Sequence, residues 1–154
     1  MIVAGPPEAT RGKSRQMLTA IPLTVIPLIL FNALGFALGG DPWSVARFTV
    51  PLVSGSAWSV TLGDLMLLLG LAMLFFETLR SAKPALSSTI TNHIVSTILL
   101  IVYIVEFIVV PIAANSIFLL LTAIALFDVV AGFTISIRTA QRDISFGAGD
   151  GGGR

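Results

Sequence analysis

Four apolar runs, separated by polar or turn-rich stretches, set out this chain: residues 17–38, 62–80, 92–110 and 116–138. A helix needs about 20 consecutive apolar residues to cross the hydrocarbon core of a bilayer, and each run is close to that length. The pattern predicts four transmembrane helices, the last ending near Arg138, with an extension to Arg142 as the alternative. The first run carries Pro22 and Pro27 in its first half, where proline is predicted to bend a helix. Asn32, Gly35 and Gly39 follow at helical spacing, and Gly35 and Gly39 form a GxxxG pair that lets a second backbone come close. Ala37-Leu38-Gly39 resembles a signal-peptide cleavage site, but an apolar core of about 22 residues exceeds the usual 7–15. A membrane span is therefore the reading adopted.

The least helical stretch lies between the first two runs. Gly39-Gly40-Asp41-Pro42 ends the first helix. Beyond it, two β-rich runs flank Ser54-Gly55-Ser56, and Trp58, Val60 and Leu62 alternate with Ser59 and Thr61. This pattern predicts a β-hairpin over residues 48–62 that turns at Ser54-Gly55-Ser56. Pro51 fits an edge position, which a two-stranded ribbon offers. Trp43 and Trp58 are expected to anchor the hairpin at the bilayer interface. Residues 1–16 and 143–154 are polar or glycine-rich and are expected to be flexible tails around a single unit, residues 17–142.

Composition agrees with a lipid environment. Of 154 residues, 55% are apolar and 11% are charged, against about 25% charged in an ordinary soluble domain. Mean hydropathy is +0.97. The formal net charge of +1 gives no bulk attraction to nucleic acid. The absence of cysteine excludes disulfides, thiolate metal sites and cysteine nucleophiles, and a single histidine excludes a self-contained multi-histidine metal or haem site.

The basic residues orient the four predicted spans. Arg11, Lys13, Arg15, Arg80, Lys83, Arg138, Arg142 and Arg154 fall on one side, and only Arg47 falls on the other. The positive-inside rule makes the first side cytoplasmic, with both termini there and the hairpin in the periplasm. Two segments carry a resemblance: Trp58-Ser59-Val60-Thr61-Leu62-Gly63-Asp64 at the start of the second helix, and Phe127-Asp128-Val129-Val130-Ala131-Gly132-Phe133-Thr134-Ile135-Ser136-Ile137-Arg138 at the end of the fourth. They resemble small four-helix inner-membrane proteins of proteobacteria over residues 48–142. The resemblance implies an all-α membrane bundle and no activity.

Candidate functional positions are the polar residues inside the apolar runs. A charge at the bilayer centre costs about 2.5–3.5 kcal/mol on insertion scales, so such residues tend to face a bundle interior. On the third helix, Asn92, Ser96, Tyr103 and Glu106 share an arc of roughly 80°. On the fourth, Ala125 and Gly132 flank Asp128 with small side chains. Asp128 is expected about seven residues, or roughly 10 Å, deeper than Glu106. Asn32, Asp64 and Glu106 are expected to cluster, with Asp128 below them and Tyr103 nearby. Asp64 also fits an interfacial position favoured by a helix N-terminus. No Lys or Arg is expected at these depths, so Glu106 and Asp128 are expected to be protonated, or to face water or a bound cation. Glu77 and Arg80, spaced i to i+3, read as a surface ion pair. His93 reads as a solvated interfacial residue, with a pH-switch role as the alternative.

These residues support three classes of function. Polar side chains and small-residue faces suffice for a non-enzymatic accessory or scaffold subunit, which binds another membrane protein or itself. The alternative is a proton- or cation-coupled transport unit that uses Asp64, Glu106 and Asp128. A membrane enzyme is the least supported class, since no nucleophile–base pair, metal-ligand set or cofactor motif is present. The expected surroundings are the lipid bilayer and a protein partner.

Overall fold

The computed structural model describes residues 21–81 and 89–147. Among these residues it is mostly helical, with four helices and one small sheet: α1 (Val25–Leu38), β1 (Ala46–Pro51), β2 (Ala57–Thr61), α2 (Leu62–Ser81), α3 (Thr89–Val109) and α4 (Ser116–Gly147). A 3-10 turn, Pro111–Ala113, joins α3 to α4. The expected tail 1–16, the start of the first run at 17–20, Lys83 and residues 148–154 lie outside the described residues, as do the side chains of Asn92, His93, Arg138 and Arg142.

The first helix is shorter than the hydrophobic run predicts. Residues 21–24 form a turn, in which Val25 N–H donates to Pro22 O at 3.1 Å and Ile26 N–H to Leu23 O at 3.0 Å. Pro27 is the third residue of α1. Its missing N–H falls where the first amides of a helix have no intrahelical acceptor, so it opens the helix rather than bending it. Fourteen residues of helix span only about 21 Å. In the other direction, α4 runs to Gly147, past the expected end at 138–142. Among the described residues, two stretches of helix, Leu62–Ser81 and Ser116–Ile137, are long and apolar enough to cross a membrane, while Val25–Leu38 is a shorter apolar helix. Of the four expected spans, the described residues show four helices, two of which include a stretch of spanning length and composition.

The sheet is an antiparallel hairpin, with Val50 opposite Trp58 and Phe48 opposite Val60. Arg47 is an extra residue between the Ala46–Thr61 and Phe48–Val60 pairs, which makes a bulge at the base. The turn closes through Leu52 N–H to Ser56 O at 2.8 Å and Gly55 N–H to Leu52 O at 3.0 Å. Gly55 takes φ +82°, a conformation that side chains other than glycine rarely adopt.

Helix α4 is central and packs along both α2 and α3, while α1 leans on α2. Phe31, Trp43, Tyr103, Ala113, Phe118 and Leu121 are almost fully buried at its heart. Trp43 belongs to this core, not to an interface. Asp41 accepts from Trp43 N–H at 3.2 Å and from Ser44 Oγ at 2.7 Å. That tight turn aims the indole inward, where it stacks on Phe31 with ring centroids 4.0 Å apart. Trp58 is exposed.

Among the described residues, the Gly35–Gly39 pair packs against no other helix. Gly35 faces Ile112 and the Trp43 ring, and a Cβ there would meet Ile112 Cδ1 at 2.7 Å. Gly39 caps α1 with φ +65° and touches nothing. Close approach is instead made by Gly63 against Ile117 and by Gly70 against Leu121 and Ile124, along the α2–α4 seam. The outer surface is apolar, with Phe36, Leu68, Phe75, Ile108, Phe127 and Ile137 all more than half exposed.

Candidate functional site

The candidate polar residues fall into two separate nodes between helices and a cap at the start of α2. The cap comes from Asp64. Thr61 ends β2 and precedes α2, and its N–H and hydroxyl both donate to Asp64 Oδ2 at 2.8 Å, while Asp64 N–H donates back to Thr61 Oγ at 3.1 Å. This reciprocal capping box satisfies amides that the first turn of a helix leaves unpaired. Asp64 is therefore committed to the helix start and does not join Asn32 and Glu106. The Thr-x-x-Asp signature was present in the sequence and was the missed signal.

The first node lies at the α1–α3 seam. Asn32 Nδ2 donates to Glu106 Oε1 and also to Leu28 O, one turn back on α1, at 3.1 Å. Both residues are half-buried. They line an open groove of about 460 Å³ on the outer surface, between Phe36 of α1 and Ile101, Val105 and Val109 of α3. Glu106 thus lies at the rim of the bundle, whereas the cost of charge in lipid predicts an interior position. Helix α1 is only 14 residues long, and Asn32 on it reaches Glu106 on α3.

The second node is buried at the end of the bundle away from the hairpin. Asp128 is 6% exposed, and its Oδ2 accepts from Thr24 Oγ at 3.2 Å. The Ser96 hydroxyl of α3 also faces it. Tyr103, which is almost fully buried, donates its hydroxyl to Thr24 O at 2.9 Å. Glu77, near the end of α2, completes the node. It is 5% exposed, and its Oε2 accepts from Leu23 N–H at 2.9 Å. Its other oxygen pairs with Arg80 at 3.3 Å, and Arg80 donates in turn to Ile21 O at 3.2 Å.

Two expectations change here. Glu77 and Arg80 are not a solvated surface pair; Glu77 is sealed in and, with Arg80, holds the backbone of residues 21–23 that leads into α1. A cation also stands near the buried acids, since the Arg80 guanidinium is close enough to act electrostatically on Asp128. The i to i+3 spacing identified the partners but could not reveal that the turn at residues 21–24 would cover them. Thr24, the hub between Asp128 and Tyr103, stood in an apolar run with nothing to mark it.

The nodes are roughly 12 Å apart along α1, from Thr24 to Asn32. Phe31, the Tyr103 ring, Phe118 and Leu121 fill the space between, and all are almost fully buried. Phe118 meets Phe31 edge-on at 4.8 Å and Tyr103 at 5.5 Å. Among the described residues, no group of three or more His, Cys, Asp and Glu side chains is placed to hold a metal ion. No family model, curated protein or solved structure matches the chain.

Proposed function

We propose that the chain is a multi-pass inner-membrane protein of four spans, with both termini cytoplasmic and the hairpin periplasmic. In this reading it works without catalysis, as an accessory or scaffold subunit that binds another membrane protein or a second copy of itself. The carrying observation is the aromatic plug between the two polar nodes. A transport relay needs titratable groups along a path wet enough to pass a proton or cation. Here Asp128 and Glu77 are sealed, and Phe31, Tyr103 and Phe118 separate them from Glu106. Internal hydrogen bonding of this kind is the ordinary way for polar side chains to join packed membrane helices.

The apolar exterior and the two helices of spanning length support insertion. The basic residues support the orientation: Arg80 lies at the end of α2 away from the hairpin, and Arg47 lies within the hairpin. The test is extraction of the tagged chain in a gentle detergent, followed by mass spectrometry and size measurement of the purified particle. A stoichiometric membrane-protein partner or a homo-oligomer is the expected result. A lone monomer, together with vesicles that move protons or cations until Asp128→Asn or Glu106→Gln is introduced, would overturn it in favour of transport.

A further inference from the structure

The hairpin between α1 and α2 has two strand edges, and the chain guards only one of them. Leu52 N–H donates to Ser56 O, which makes Leu52 and Ser56 a hydrogen-bonded pair. Such pairs alternate along an antiparallel ladder, so Trp58 and Val60 also bond inward, to Val50 and Phe48. The backbone groups of Ala57 and Ser59 on β2, and of Thr49 and Pro51 on β1, then point outward. The β1 edge is blunted, because Pro51 has no N–H and the bulge at Arg47 interrupts the line and adds a charge. On the β2 edge, Ala57 and Ser59 each present a complete donor–acceptor pair, with no proline, charge or bulge beside them, and both are exposed. Among the described residues, no backbone group bonds to that edge. Thr61, the next outward position, gives its N–H to Asp64, which sets the limit of the open stretch.

A free edge of this kind takes another strand by main-chain hydrogen bonding. The strand that matches it is the same edge of a second copy. With antiparallel pairing about Trp58, Ala57 of each copy exchanges both backbone bonds with Ser59 of the other, and no donor or acceptor is left over. The two faces of the ribbon agree with this pairing. Phe48, Val50, Trp58 and Val60 share one face. Val60 is buried, and two strands cannot bury a side chain on their own face, so that face is turned to the helices. Thr49 and Ser59, on the opposite face, are exposed. The twofold axis relating two antiparallel strands is perpendicular to their sheet, here running from the exposed face toward the helices. Both copies therefore keep one orientation in one bilayer. The bases of the two hairpins come to lie roughly 20 Å apart, about two helix diameters.

We propose that β2 is a homodimerisation edge, which pairs antiparallel with β2 of a second copy about Trp58 and joins the two ribbons into one continuous periplasmic sheet. The inference rests on the membrane location and the scaffold role proposed above, and it names the partner and the contact. The chain has no cysteine, so single cysteines report the contact without background. In this pairing the two copies of position 58 face each other at a non-hydrogen-bonded site. Their Cα atoms are about 4.5 Å apart, within the span that a disulfide bridges. Position 49 lies on the far, guarded edge. The full chain in native membranes is oxidised with copper phenanthroline and resolved on a non-reducing gel. Trp58→Cys is expected to give mostly disulfide-linked dimer, and Thr49→Cys at least about ten-fold less.

Ser59→Pro, added to Trp58→Cys, removes an outward N–H and leaves the inward bonds of positions 58 and 60 in place. It is expected to cut cross-linking about ten-fold or more, since the dimer loses the bond twice. Thr49→Pro, the matched change on the guarded edge, is expected to leave cross-linking unchanged. Equal cross-linking at positions 49 and 58, Trp58→Cys that stays monomeric in membranes, or no loss with Ser59→Pro would overturn the proposal. The comparison of the two cysteines decides even where Ser59→Pro fails to fold. Size measurement of the particle in gentle detergent separates the two levels. A stoichiometric assembly without the position-58 cross-link refutes this edge alone, whereas a lone monomer without it refutes the scaffold role as well.

Discussion

Replacement of Glu77 distinguishes a surface ion pair from a buried clamp. Its carboxylate accepts the Leu23 N–H at 2.9 Å and pairs with Arg80 at 3.3 Å, and the residue is 5% exposed. A hydrogen bond to a charged group contributes about 1.5–3 kcal/mol. The Arg80 side chain is 32% exposed, so its pairing is partly screened and adds about 0.2–1 kcal/mol. Glu77→Ala is therefore expected to cost about 2–4 kcal/mol. Glu77→Gln keeps an acceptor for Leu23 N–H and gives up only the charge, at about 1 kcal/mol. A surface pair predicts a few tenths for either change. Unfolding in mixed micelles with rising dodecyl sulfate measures the difference, and fluorescence of Trp43, stacked on Phe31, provides one signal. If Glu77→Ala lies within about 0.5 kcal/mol of the native chain, or Glu77→Gln costs as much as Glu77→Ala, the clamp is wrong.

Other substitutions probe the remaining elements. Asp128→Asn is expected to be nearly neutral for folding, because an amide can still take the Thr24 hydroxyl, while Asp128→Leu should cost about 1–3 kcal/mol in the same unfolding assay. Asp64→Ala removes the α2 cap and is expected to cost about 0.5–2 kcal/mol, with faster amide exchange in the first turn of α2. Gly63→Ala should cost more than Gly70→Ala, within about 1–3 kcal/mol. A Cβ at Gly63 meets the Trp43 carbonyl at 3.0 Å as well as Ile117, whereas at Gly70 it meets only movable side-chain ends. Phe31→Ala empties the centre of the aromatic plug and is expected to cost about 3–5 kcal/mol, read as a shift in the unfolding midpoint.

The helices and the hairpin were legible because both depend on local pattern. Length of apolar run, the Gly39-Gly40 break and the alternation around Ser54-Gly55-Ser56 are local properties. What escaped is set by tertiary position. The start of α1 depends on how Pro22 and Pro27 are shared between a turn and a first helical turn, and hydropathy is blind to that. Trp43 has the sequence neighbourhood of an interfacial tryptophan, and only the Asp41 turn sends it inward. The link between Asn32 and Glu106 could be reached by counting depth from the connecting turns. The burial of Glu77 could not, because it depends on a segment 54 residues away folding over it. Asp64 is a different case: its cap was written locally as Thr61-x-x-Asp64, beside a competing pattern of intramembrane acids.

The topology tests the account most directly. Alkaline phosphatase joined at Gly55, in the hairpin turn, should be active, because it would be carried to the periplasm. Joined after Gly147, where α4 ends, it should be inactive and the fusion should remain in the carbonate-resistant membrane fraction. Activity at Gly147 with none at Gly55, or release of the chain by carbonate, would contradict a membrane protein whose two ends lie together in the cytoplasm.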